Sequence, residues 1–167
     1  LMDELAEVRK AVKPHDVLLV VDAMTGQDAV NVAENFAEVA DFDGVLITNG
    51  TDTLVGTSYF LTLVVKSDKP VVMVGSMRPA TAVSADGPGN IYNGVAVVAD
   101  ARAKGSGTPV CLNDEIHYAR NVVKTDTTSV QTFQSINRGP AGVVHTGKIE
   151  WFEPMDRKVG KNTEFAV

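Results

Sequence analysis

Two short polar stretches carry the hydroxyl and carboxyl groups on which chemistry could rest. They are Asn49-Gly50-Thr51-Asp52-Thr53 and Asp22-Ala23-Met24-Thr25-Gly26-Gln27-Asp28. Each follows a continuous apolar run and precedes a helical pattern, which is where the loops of a parallel sheet meet ligands. A threonine hydroxyl acts as a nucleophile only with a base, a donor or cation for the developing oxyanion, and an anchor for the substrate. Taken alone, Thr51 to Thr53 also read as a helix cap in an anion-friendly turn. Thr25 to Asp28 read as a loop and helix cap, and Lys124 as a solvated charge at a strand end. His15, His117 and His145 sit in no motif and are expected at the surface. Cys111 lies in an apolar run and is expected as a buried thiol. There is no zinc spacing and no GxxxxGK[ST] phosphate loop, so no metal and no cofactor is expected.

The 167 residues are enough for one domain with its own core. Hydrophobic content of 44% and charged content of 22% are ordinary for a globular chain. The net charge of −6 comes without basic runs, which argues against a nucleic-acid partner. No apolar run has the length of a membrane span. No secretory leader is read at the start, so cytoplasmic expression is the expectation, and a first residue other than Met is expected of a fragment.

The elements that must hold the polar turns follow from the apolar spacing. Leu1, Leu5, Val8 and Val12 predict an amphipathic helix closed by Pro14. Residues 17–21 predict a buried strand, and Ala29, Val32, Phe36 and Val39 a helix over 29–40. Residues 44–75 predict a β-α-β unit: an apolar strand to Thr48, a helix to about Val65 and an apolar strand over 71–74. Ser84-Ala85-Asp86-Gly87-Pro88 reads as the start of a helix carrying Ile91, Val95 and Val98. A fourth strand is expected at 110–112. Short β-like runs follow at 115–118, 121–124, 142–144 and 148–152, with a hairpin turn at His145-Thr146-Gly147-Lys148. The tail from Pro154 is expected to hug the surface or fray.

Two family resemblances lie on these elements. NGTDT, then DKPVVMVGSMRPATAVSADGPGN, NVVKTDTTSVQTF and GKIEWF, resemble the amino-terminal domain of the bacterial L-asparaginases over about residues 44–167. That resemblance implies amide hydrolysis of asparagine or glutamine. It implies that Thr51 faces the substrate amide, Asp52 holds the substrate's amino group, and Lys124 tunes the Thr51 hydroxyl. It places Ser76 where the family holds the amide with backbone. VLLVVDAMTGQDAVNVA is similar to the GTPase domain of the signal-recognition-particle proteins over about residues 1–48. Neither family brings its whole site: the phosphate loop is missing, and so is the asparaginase Thr-Gly-Gly-Thr turn. By position in the sheet, Thr25 stands in for that turn. By string similarity, Gln27 and Asp28 match the asparaginase substrate loop.

The expectation is therefore a single α/β domain, flavodoxin-like or Rossmann-like, with a doubly wound parallel sheet in strand order 1-2-3-4 and a small C-terminal β appendage. Residues 1–48 form the GTPase-like segment, 49–152 the asparaginase-like segment and 153–167 a surface tail. Helix 29–40 and helix 54–65 are expected on one face and the first helix on the other, with right-handed crossovers. Meeting of two families is what an engineered fusion without efficient catalysis would produce. The alternative is a truncated asparaginase-like amidohydrolase with residual activity on a small amide such as asparagine. Sequence leaves the oligomeric state open.

Overall fold

The computed structural model describes residues 2–152 and 154–166. Leu1 of the first apolar stripe and Glu153 and Val167 of the tail lie outside them. The elements are α1 (Met2–Val12), β1 (Leu18–Asp22), α2 (Gln27–Val39), β2 (Gly44–Thr48), α3 (Thr51–Val64), β3 (Val71–Val74), α4 (Gly87–Ala99), β4 (Val110–Leu112) and β5 (Glu115–His117). They continue with β6 (Val123–Lys124), β7 (Phe133–Gln134), β8 (Gly142–His145) and β9 (Lys148–Trp151).

One mixed sheet runs β1-β2-β3-β4-β5-β8-β9. Its first four strands are parallel, with Leu19 opposite Val45, Leu46 opposite Val72 and Met73 opposite Val110. The adjacency of β1 and β2 agrees with the sequence expectation. The last three strands add antiparallel and belong to the same sheet, so most of the expected C-terminal appendage is sheet rather than attachment. The physical reason is the tight turn after β4, where Asn113 and Asp114 take φ of 51° and 64° and fold β5 straight back. Only β6 and β7 stand apart, as a two-stranded ribbon. The β8–β9 hairpin turns at Thr146 and Gly147, both at positive φ, as the favoured two-residue turn requires.

Alternate residues of each strand face opposite layers. Leu46, Val72 and Val74 pack with Val97 and Val98 of α4 and with Cys111. Met73, Val110 and Leu112 pack with Leu54 of α3 and with Val122 and Phe133. Thus α3 and α4 lie on opposite faces, although β2, β3 and β4 follow one another in a single direction across the sheet. The two crossovers therefore have opposite hands, and one departs from the right-handed rule. The segment between β3 and α4 is long enough to carry the chain over the carboxyl edge to the other layer.

The beginning of the chain is looser than its apolar pattern predicts. The first helix contacts α2 and buries none of its residues, so it does not cover the second face; α4 does. Strand β1 is the outer strand of the sheet, which explains why Leu19 is buried while Val20 is 54% exposed. The tail docks on α3: the Thr163 hydroxyl donates to the Leu63 carbonyl at 2.5 Å, and Lys161 pairs with Asp68. No helix of the described residues is long and apolar enough to cross a membrane.

Candidate functional site

The carboxyl ends of β1, β2 and β3 open onto a cleft of about 280 Å³. Its walls include Asp22, Thr48, Asn49, Gly75, Ser76 and Ile91. Gly75 is what lets the exit of β3 approach the start of α3. A Cβ there would meet the Asn49 carbonyl oxygen at 2.9 Å, Leu54 Cδ1 at 3.0 Å and Thr51 Cγ2 at 3.3 Å. Ser76 thus enters the cleft beside the first turn of α3.

That turn begins without a side-chain cap. Gly50 is the cap residue and makes no side-chain bond, so the capping reading of Thr51 to Thr53 does not hold. Thr51 is the first helical residue, and its hydroxyl is bound from across the site. Lys124 Nζ donates to Thr51 Oγ1 at 2.9 Å and to Asp52 Oδ1 at 2.7 Å. Lys124 lies 73 positions from Thr51 and 72 from Asp52 in sequence, and it meets that adjacent pair because the β6–β7 ribbon passes over the start of α3. The Lys124 side chain is only 20% exposed, whereas that of Asp52 is 92% exposed. The hydrogen bond and charge of Lys124 hold the Asp52 carboxyl below its ordinary range. Asp52 also stands at the positive end of the α3 dipole, which favours the carboxylate.

The other candidates lie differently. Thr25 ends a short 3₁₀ turn, Ala23–Thr25, and its hydroxyl donates back to the Asp22 carbonyl at 2.6 Å. Its neighbour Met24 lines the cleft, but Thr25 is not among the lining residues. Gln27 and Asp28 form the exposed first turn of α2 and do not line the cleft either. So the structure brings Thr51, Asp52 and Lys124 together at the start of α3, next to Gly50 of the cleft wall but not themselves in that wall, and sets Ser76 on it. It leaves Thr25, Gln27 and Asp28 on the rim of β1. A larger cavity, about 500 Å³, is walled by Arg102, Lys104, Tyr118, Trp151 and their neighbours and shares no residue with this cleft.

Several supporting residues escaped the sequence reading. Asp86 accepts from the backbone N–H groups of Met77 at 2.9 Å and Arg78 at 2.8 Å, which shapes the loop after Ser76. Asn90 donates to the Gly75 carbonyl at 2.9 Å and accepts from Asn113 N at 3.0 Å, tying the cleft wall to the end of β4. The available signal was Asn90 and Asn93, two amides at helical spacing on the apolar side of α4, both buried. His117, expected at the surface, is buried at 1% exposure. It points inward because β5 is an interior strand flanked by β4 and β8. Cys111 is buried as expected, and burial pushes its thiol up to about 12, which removes it as a nucleophile.

Comparison with known proteins places this geometry. The family model described as "Asparaginase, N-terminal" matches residues 2–157. The chain is 52% identical over 125 residues to L-asparaginase 2 of Escherichia coli (strain K12), covering 75% of this chain and 36% of that protein. It is 40% identical over 167 residues to the glutaminase-asparaginase of Pseudomonas fluorescens biotype A, covering 98% of this chain and 46% of that protein. A solved structure titled as the probable cytoplasmic L-asparaginase from Campylobacter jejuni superposes with a TM-score of 0.76 at 48% identity, covering 84% of this chain and 44% of that chain. The chain therefore spans less than half the length of these relatives. With a family match from residue 2 to residue 157 and the Thr51–Asp52–Lys124 cluster at the start of α3, this chain belongs to the asparaginase N-terminal family.

Proposed function

We propose that this chain is an amidohydrolase domain of the L-asparaginase type, converting asparagine and water to aspartate and ammonia. The observation that carries the reading is the double bond from Lys124 Nζ to Thr51 Oγ1 and Asp52 Oδ1. A lysine ammonium donating to a threonine hydroxyl stabilises the alkoxide character that the oxygen gains as it gives up its proton. The hydroxyl oxygen faces the amide carbon, and the exposed Asp52 carboxylate is free on its outer side to accept from the substrate's α-ammonium. Backbone around Gly75 and Ser76, held by Asn90 and Asp86, offers donors toward the amide oxygen. As Thr51 Oγ1 bonds to the amide carbon and the C–N bond breaks, the hydroxyl proton passes to the nitrogen that leaves as ammonia, and water then cleaves the resulting ester to aspartate and the free hydroxyl.

Turnover by this chain alone is expected to be slow. The cluster supplies one hydroxyl where the family resemblance implies two on facing loops, and an open cleft leaves water to weaken each electrostatic contact. A second reading, a fusion of GTPase-like residues 1–48 to an asparaginase-like remainder with no efficient catalysis, is favoured by one observation. The Thr25 hydroxyl is committed to the Asp22 carbonyl, so the loop after β1 presents no free nucleophile. Ammonia release from L-asparagine, followed at high protein concentration, separates the two. The amidohydrolase reading requires a rate that Thr51→Ala and Lys124→Met both abolish. A rate equal in all three preparations leaves the second reading.

A further inference from the structure

The ribbon that delivers Lys124 is small. Val123 pairs with Gln134 and Lys124 with Phe133, and nothing longer holds the two strands together. Two residues per strand do not make a stable unit in water, so the ammonium keeps its place only if the ribbon is tied at its ends. At the turn end, Thr132 does this: its carbonyl accepts from Thr125 N at 2.8 Å, and its hydroxyl accepts from Asp126 N at 2.7 Å. Phe133 anchors the middle, buried against Leu54 of α3. At the open end, Ser135 follows the last ribbon residue and is itself buried. Its hydroxyl lies 2.9 Å from Nδ1 of His117.

His117 is a fixed point. It sits at the end of β5, paired to Val110 of β4 in the centre of the sheet. On its other nitrogen the Glu115 carboxylate stands 3.3 Å from Nε2, near enough to favour a proton on that nitrogen but too poorly aligned for a hydrogen bond. A proton on Nε2 leaves Nδ1 as the acceptor for the Ser135 hydroxyl. The sheet is thereby connected to the ribbon by a buried side-chain bond only two residues from the partner of Lys124.

We infer that His117, acting through Ser135, is a positioning residue that holds Lys124 against Thr51 and Asp52. This rests on the reading of those three residues as an amidohydrolase site, but the tether itself is testable without activity. A lysine whose side chain is only 20% exposed and whose Nζ is held by a carboxylate and a hydroxyl is poorly reached by acetic anhydride. Loosening the ribbon exposes the amine.

The experiment is acetic anhydride labelling of the whole chain under folded conditions, with lysine-resolved mass spectrometry on wild type, Ser135→Ala, His117→Phe and His117→Asn. Lys148 and Lys161 serve as internal references. The expected result is a rise of about tenfold in Lys124 labelling in Ser135→Ala and His117→Phe, the factor matching about 1.4 kcal/mol and hence one buried hydrogen bond. The references stay unchanged, and His117→Asn, which keeps a polar atom near the Nδ1 position, restores protection. Unchanged Lys124 labelling in folded Ser135→Ala overturns the inference. So does an equal rise at all three lysines in every variant, which would mark a purely structural role. Ammonia release measured in parallel separates the two layers. If labelling responds as expected while no variant and no wild type hydrolyses asparagine, the tether stands and the amidohydrolase reading falls.

Discussion

The buried imidazole of His117 makes the stability of this chain depend on pH in a defined window. Burial lowers its pKa from 6.5 to about 4. An unfolded chain therefore takes up the proton at a higher pH than the folded one, and stability rises with pH wherever that difference exists. His117 contributes its full stabilisation above the unfolded value and loses it as pH falls from 6.5 toward 4. The two values bound the complete effect at about 3 kcal/mol, and about 2 kcal/mol of it is gone by about pH 5. Glu115 acts in the opposite sense: burial raises its carboxyl, so its contribution grows as pH falls and offsets part of the loss. Asp41, Asp52, Asp100, Asp126 and Asp156 are all lowered, and their contributions disappear only below about the ordinary carboxylate value of 3.8. The interval between about pH 4.5 and 6.5 thus isolates His117 from the aspartates. Urea unfolding should be followed across that interval for wild type and His117→Gln. Wild type is expected to lose stability on acidification and the variant to lose markedly less, with unchanged m-values. Parallel pH slopes, or a His117 ring signal titrating above pH 6 by NMR, would refute the reasoning.

Further outcomes follow from packing and from the Lys124 contacts. Leu19→Ala should destabilise by about 2–3 kcal/mol, the lower part of the range for buried leucines, because β1 is an outer strand whose neighbour Val20 is exposed; an unresolved change in urea midpoint would show the strand is not packed. Gly142→Ala should cost about 2–3 kcal/mol or prevent β8–β9 pairing, since a Cβ there would lie 2.5 Å from the Glu150 carbonyl oxygen; thermal unfolding with no shift would exclude the close approach. Gly160→Ala combines a positive φ of 50° with a contact of 2.6 Å to the Val65 carbonyl oxygen, so the tail should leave α3 and become the first site of limited proteolysis, and an unaltered cleavage pattern would contradict this. Lys124→Met should let the Asp52 carboxyl titrate at a higher pH than in wild type, because its hydrogen bond and charge are the main causes of the lowering; an unmoved Asp52 titration by NMR would show that the pair is not formed in solution.

Strand type, strand order over the first four strands and the hairpin at His145 to Lys148 were legible in the amino-acid sequence. Strand type and the hairpin rest on local chemistry, continuous β-branched runs for buried parallel strands and a turn that needs positive φ at two successive residues, whereas the strand order came from the resemblances. The cluster residues Thr51, Asp52 and Lys124 were also readable, but only by resemblance, since nothing in spacing brings position 124 to position 51. What the sequence could not carry are properties that depend on which layer an element faces. The opposite hands of the α3 and α4 crossovers depend on the path of the loop after Gly75, held by Asp86 and Asn90 through bonds to backbone atoms that leave no mark in composition. His117 looks like any polar residue ending a three-residue strand, and only the strands on both sides of β5 bury it. The partner of the Thr51 hydroxyl was equally undetermined, because a threonine at a helix start caps the helix or bonds across the site depending on what lies opposite it. Tertiary structure decided against the cap by putting Gly50 at the cap position and Lys124 opposite the Thr51 hydroxyl.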